Sequence, residues 1–272
     1  MTASEAIAKL AAQANIQLII FVIGLIMCRI LPVIIFSPFL GGEVIPVEVK
    51  MGVGVTLSIV MYPIVAQRIG AIPSAPLPYI ALLLKEVFIG LTMAFIISAI
   101  FDAARVAGNL ADTMMGSNNA QLYVPQLGQQ VTLYSNLKVQ LSVVLFLTLN
   151  GHHVIIEALA DSFVLVPLDG FPKFSAGFWP FFELITRVFA DMLRIALILS
   201  APVVLATFLT DLGMGAINRV AQNFQVFFIA MAIKPLVAAI IMSIAIQMII
   251  VRFQDEFASM LAILKHSIRL LS

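Results

Sequence analysis

Apolar residues run along this chain in long blocks, at roughly 16–40, 50–67, 79–105, 137–166, 184–210 and 225–252. A helix crosses the hydrocarbon of a bilayer with about 20 mostly apolar residues, so these blocks predict six membrane-type helices and an all-α fold. The breaks carry turn chemistry: Gly41, Gly42 and Pro46 end the first block, Pro73, Pro76 and Pro78 part the second from the third, and Pro167, Pro172 and Pro180 part the fourth from the fifth. Pro202 and Pro235 fall inside the last two blocks. Each removes a backbone donor, which predicts a bend in its helix. With the polar stretch Asp211–Gln225 between them, those two helices read as a hairpin. Near the start, Glu5 and Lys9 lie in a mildly amphipathic stretch, and the apolar run after it is longer than a signal peptide's. The first block is therefore expected to stay in the mature protein.

Composition sharpens the membrane reading. The chain is 62% hydrophobic and 11% charged, with a mean hydropathy of +1.10. A soluble domain carries roughly a quarter charged residues. Lipid or partner subunits must cover what polar surface cannot. The net charge of +1, spread without blocks, gives no sign of a nucleic-acid partner. Cys28 is the sole cysteine, which leaves no internal disulfide, and it reads as a small core residue.

The charges change the picture more. Arg29, Lys50, Lys85, Glu86, Asp102, Arg105, Lys138, Asp191, Arg194, Asp211, Arg219 and Lys234 lie in or beside the apolar blocks. Each costs at least about 2.5–3.5 kcal/mol at bilayer depth. Helical spacing predicts pairs between Asp102 and Arg105 and between Arg187 and Asp191. The rest are expected to face sister helices or water. With six spans and both ends inside, Lys9, Arg68, Lys173, Arg252, Lys265 and Arg269 would lie on one side and Lys50, Arg105, Lys138 and Arg219 on the other, a balance that favours neither orientation. Gly90, Ala94 and Ser98, and again Ala103, Ala107 and Ala111, recur every four residues. Such small-residue stripes let helix backbones approach in an apolar medium.

No enzyme motif emerges: there is no H-E-x-x-H, phosphate-binding glycine loop or G-x-S-x-G elbow. Asn150-Gly151-His152-His153 with Glu157 offers two metal-ligand types at helical spacing, but Asn-Gly is a turn signal and a third ligand is lacking, so the histidines are placed at a helix end with no metal or other cofactor. The polar stretch 106–138, rich in Asn and Gln and punctuated by Gly116, Pro125 and Gly128, reads as a surface loop or a re-entrant segment. Met114, Met115, Leu122 and Tyr123 give it an adaptable apolar tip.

Four ordered stretches then carry a likeness. They are Arg29 with Phe36-Ser37-Pro38-Phe39-Leu40, Ile45-Pro46 and Lys50-Met51-Gly52; Lys85-Glu86 with Gly90 and Ala107-Gly108; Phe146-Leu147-Thr148-Leu149-Asn150-Gly151-His152; and Gly213-Met214-Gly215-Ala216-Ile217-Asn218-Arg219-Val220-Ala221 with Phe227 and Lys234. In this order they resemble the FliR/SctT family, an export-gate subunit of flagellar and injectisome type III secretion. One departure is Ala221-Gln222-Asn223, where the family commonly has Ala-Pro-Gln.

The resemblance implies a single-copy, non-enzymatic subunit of a hetero-oligomeric helical ring in the bacterial inner membrane. Residues 1–178 would be FliP/SctR-like and 179–272 a FliQ/SctS-like hairpin. Implied partners are FliP/SctR-like and FliQ/SctS-like gate subunits, a FlhB/SctU-like switch subunit, membrane lipid and unfolded polypeptides in transit. The stretch 106–128 would plug the closed pore, sealed by Met114, Met115, Leu122 and Tyr123; flagellar relatives place phenylalanines near 119 and 122, where this chain has Asn119 and Leu122. Arg29, Lys50, Lys85, Glu86, Asp211, Asn218, Arg219 and Lys234 are expected to hold helices or subunits together, and Gly90, Ala94 and Gly108 to mark close helix packing. The rival readings are a stand-alone transporter or channel using the buried charges, and an intramembrane enzyme using His152, His153 and Glu157.

Overall fold

The computed structural model describes residues 16–40, 45–66, 68–69, 75–116, 122–124, 129–174, 177–220 and 226–271. In chain order these form α1 (Ile16–Phe36), a 3-10 turn (Pro38–Leu40), α2 (Val47–Ala66), α3 (Pro76–Met115), β1 (Leu122–Val124), β2 (Gln129–Val131), α4 (Leu133–Thr148), α5 (Gly151–Leu165), α6 (Phe178–Val220) and α7 (Val226–Leu271). The fold is all-α apart from the antiparallel ribbon β1–β2, in which Tyr123 pairs with Gln130. Five helices are long and apolar enough to cross a membrane, and α4 with α5 would make a sixth span bent by 70°.

Helices outrun the apolar blocks because a helix needs only one buried stripe. Beyond residue 105, where a surface loop or re-entrant segment is expected to begin, α3 continues for three turns, with Ala107, Ala111 and Met115 fully buried. In α7, Phe253, Phe257, Met260 and Leu264 hold one buried face past the last apolar block while Gln254 and Asp255 stay exposed. The runs of α6 and α7 pass through Pro202 and Pro235 without interruption. Cys28, expected in the core, is half-buried.

The described residues cluster into two units, each assembled from separate stretches of chain. One comprises the chain up to Phe95, Ile155–Phe181 and the end from Leu264; the other comprises Ile96–Val154 and Phe182–Ile263. In the first, α1 packs on α2 and on the start of α3 through Leu25, Ile26, Ile30 and Ile89. Gly90 sits so close to α1 that a Cβ there would overlap the Arg29 carbonyl. In the second, Phe101, Phe146, Phe253 and Phe257 form an aromatic centre with ring centroids 5.3–5.9 Å apart. The α4–α5 elbow closes beside it. Asn150 takes a left-handed backbone (φ 57), and Gly151 abuts the Phe146 ring where no Cβ would fit.

Candidate functional site

Among the described residues, the polar side chains singled out in the sequence gather at helix contacts in three groups. The first lies within the unit built around α1 and the start of α3. Arg29, Lys85 and Glu86 are all buried, and both cations turn onto one carboxylate. The Arg29 Nε–H donates to Glu86 Oε2. The Lys85 ammonium lies 2.6 Å from Oε1, which makes no well-aligned hydrogen bond and is held as an ion pair.

Neither cation stops there. Arg29 Nη1 donates to the Ser162 carbonyl (2.7 Å), Nη2 donates to the Val166 carbonyl (2.9 Å), and the guanidinium lies 4.4 Å from the Phe163 ring centroid. Lys85 Nζ donates to the carbonyls of Pro167 (3.0 Å), Leu168 (3.1 Å) and Gly170 (2.9 Å). These carbonyls belong to the last turn of α5 and the chain leaving it, where a helix runs out of its own donors. Arg29 and Lys85, far apart in sequence and joined through Glu86, thus form one helix-end cap. Nearby on α2, Lys50 is also buried, with Nζ 3.5 Å from the Ile35 carbonyl.

The second group, within the other unit, surrounds the two ends of the segment between α3 and α4. Thr132 occupies the N-cap of α4 but makes no cap bond; its hydroxyl donates to Asn109 Oδ1 (3.2 Å). Asp112, buried near the end of α3, supplies the cap instead, accepting from the backbone N–H of Ser135 (3.0 Å) and of Tyr134 (3.4 Å). The Ser135 hydroxyl donates to the Arg105 carbonyl (3.2 Å), and Gly108 meets the Ser135 backbone with no room for a side chain. Lys138, fully buried, donates to the carbonyls of Ala107 (3.3 Å) and Leu199 (3.1 Å). Met114 and Met115 do not lie at a loop tip as expected. They end α3, Met114 partly exposed and Met115 buried, because the alanine stripe carries the helix on to them. The strand β1 contains Leu122 and Tyr123, whose side chains lie outside the described residues.

The third group joins α6 to α7, where Asp211 and Lys234 pair at 2.5 Å. Asn218 and Arg219 are exposed on the last turns of α6. Ala94 and Gly108, like Gly90, are buried at helix contacts. The pair Asp102–Arg105 forms as expected at 3.2 Å. Arg187 pairs with Glu183 (2.6 Å) rather than with Asp191, consistent with the better geometry of an acid four residues before its base. The His152 and His153 rings lie 4.2 Å apart, tilted by 40°, at the start of α5. Among the described residues no three His, Cys, Asp or Glu converge on a metal position. Sequence reading missed Asp112; the signal available was its place directly after Ala111, continuing the buried side of α3.

The profile of bacterial export proteins, family 1, matches residues 20–260, which contain all three groups. The chain belongs to this family. Flagellar biosynthetic protein FliR of Bacillus subtilis is 27% identical over 237 residues, covering 86% of this chain and 89% of its own length. Yop proteins translocation protein T of Yersinia pestis is 29% identical over 221 residues, 80% of each chain. Secretion system apparatus protein SsaT of Salmonella typhimurium is 26% identical over 238 residues, 87% of this chain and 90% of its own. Flagellar and injectisome relatives thus align with nearly the whole of this export protein, as the FliR/SctT likeness implied. Its membrane-length helices fit a multi-pass membrane protein.

Proposed function

We propose that the chain is the FliR/SctT-type subunit of a type III protein-export gate in the bacterial inner membrane. The observation that carries this reading is the family match over residues 20–260, with flagellar and injectisome relatives covered over most of their length. Residues 1–178 are the FliP/SctR-like part and 179–272 the FliQ/SctS-like hairpin. FliP/SctR-like and FliQ/SctS-like subunits complete the ring, and a FlhB/SctU-like subunit acts beside it.

The chain breaks no bond. It lines a conduit for unfolded polypeptide and holds ions back when the conduit is empty. Met114, Leu122 and Tyr123 supply the apolar seal, and Met115 anchors it from within α3. A narrow apolar constriction dewets and stops ions, yet yields to a passing chain. Asn218 and Arg219, exposed near the end of α6, bind neighbouring subunits in this reading.

The buried charges support this reading over a stand-alone transporter. Arg29, Lys85 and Glu86 are turned onto each other and onto backbone carbonyls rather than toward a solute. Replacing residues 117–131 with a short Gly-Ser linker in the assembled gate tests the seal. Assembly should persist while ion conductance rises. Unchanged conductance would remove the plug from the proposal.

A further inference from the structure

Among the described residues of its unit, Lys138 is the one cation that is fully buried and shared between α6 and the α3–α4 junction. Its acceptor on α3, the Ala107 carbonyl, is flanked by Gly108, which touches Ser135, and lies two turns before Met115. Its acceptor on α6, the Leu199 carbonyl, lies in the turn that precedes Pro202. That proline lacks the N–H that would serve the neighbouring Ile198 carbonyl, so this turn of an otherwise continuous α6 has one intrahelical bond fewer, and the Lys138 ammonium adds a donor to it from outside. An ammonium in an apolar interior is costly unless its hydrogens are satisfied, so Lys138 ties its two acceptors together.

We infer that Lys138, with Asp112, is a positioning residue that fixes the ends of the 116–132 segment to the Pro202 turn of α6. This rests on the plug reading above and adds what holds the plug. Asp112 secures the start of α4 to α3 through the N–H groups of Tyr134 and Ser135. Lys138 then secures that pair to α6. A displacement of α6 at its proline turn withdraws an acceptor from Lys138 and loosens both ends of the plug together. The hairpin half of the chain thereby sets whether the seal holds.

The test is ion conductance of the assembled gate carrying Lys138→Met, which keeps the length and apolar stem of the side chain but not its donors. Loss of charge-assisted hydrogen bonds shifts an open–closed balance by about tenfold or more, so leak should rise about tenfold with subunit ratios unchanged. In a Cys28→Ser background, Asn109→Cys and Thr132→Cys, whose native side chains are bonded at 3.2 Å, are joined by a short thiol cross-linker. The cross-link ties α3 to the start of α4 but not to α6, so the Lys138→Met leak should persist with it. A leak that the cross-link abolishes overturns the inference, since the tie to α6 is then not what holds the seal. So does a tight Lys138→Met gate when the 117–131 replacement leaks; the plug reading survives that outcome. If neither leaks, the plug reading falls and the inference falls with it. Should Lys138→Met fail to assemble, the near-isosteric Asp112→Asn is measured the same way, and a tight gate there overturns the inference.

Discussion

At the level of single residues, what distinguishes this chain is that its buried charges serve backbone carbonyls as well as each other. An isolated buried ion pair is often replaced by apolar residues at little cost, whereas removing one partner costs about 3–5 kcal/mol. Glu86→Gln strands two cations beside one another, and thermal unfolding in detergent should register a loss of that size. Joint replacement of Arg29, Lys85 and Glu86 by Met, Met and Leu should also destabilise, because the carbonyls of Val166, Leu168 and Gly170 lose their donors. A neutral result for the joint replacement would mean that the cap adds nothing to the pair. Glycines separate in the same way. Gly108→Ala forces a Cβ into the Ser135 backbone and should cost about 1–3 kcal/mol, whereas Gly213→Ala meets nothing and should gain up to about 1 kcal/mol from helix propensity. The same unfolding measurement decides both. The charges themselves were legible in the sequence as a problem needing a solution. Their solution was not, because Arg29 finds its carbonyls more than 130 residues away and no local pattern encodes that pairing.

At the level of elements, the apolar blocks placed the described helices but stopped short of the ends of α3, α6 and α7 and missed one break. The Asn- and Gln-rich composition of 106–138 suggests a surface loop or a re-entrant segment, yet its first ten residues continue α3, because the buried face needs only Ala107, Ala111 and Met115. The block 137–166 looked like one span. It is broken at Leu149–Asn150, where Asn-Gly signalled a turn and Asn150 adopts the left-handed backbone. Asn tolerates that conformation and a β-branched residue does not. Asn150→Gly should therefore leave stability within about 0.5 kcal/mol, and Asn150→Val should cost about 1–2 kcal/mol. Equal unfolding midpoints for the two variants would show that the elbow is not held by residue 150. The elbow is also held from inside: Phe146 fills the space beside Gly151 and is itself fixed by Phe101 and Phe257. Such a bend, set by one backbone conformation and one aromatic contact, leaves hydropathy unchanged, which is why the apolar block ran straight through it.

For the molecule as a whole, the decisive quantity is how little of the last two helices the chain covers for itself. The apolar windows of α6 and α7 are 28% buried, against 56% for α3. Leu197, Leu205, Phe208, Leu209 and Leu212 stand exposed on α6, and Leu236, Ile240 and Ile244 on α7. Lipid and a partner helix are equally apolar, so hydropathy alone does not separate them. The ion pair does. Asp211 and Lys234 lie among these exposed apolar residues, and a pair facing hydrocarbon would be strongly disfavoured. Because Asp211 is half exposed, the pair adds only about 0–1 kcal/mol to the chain by itself, and Asp211→Asn should barely move its unfolding temperature. Its effect should appear in assembly, where a neighbouring subunit would enclose the pair. Expressed with its proposed ring partners, the wild-type chain should elute as one monodisperse complex, and Asp211→Asn should lower the recovery of that complex several-fold. Expressed alone, the chain should aggregate or be degraded. A lone chain that elutes as a sharp monomer peak would mean that α6 and α7 are covered by detergent and lipid, and the ring would lose its physical basis.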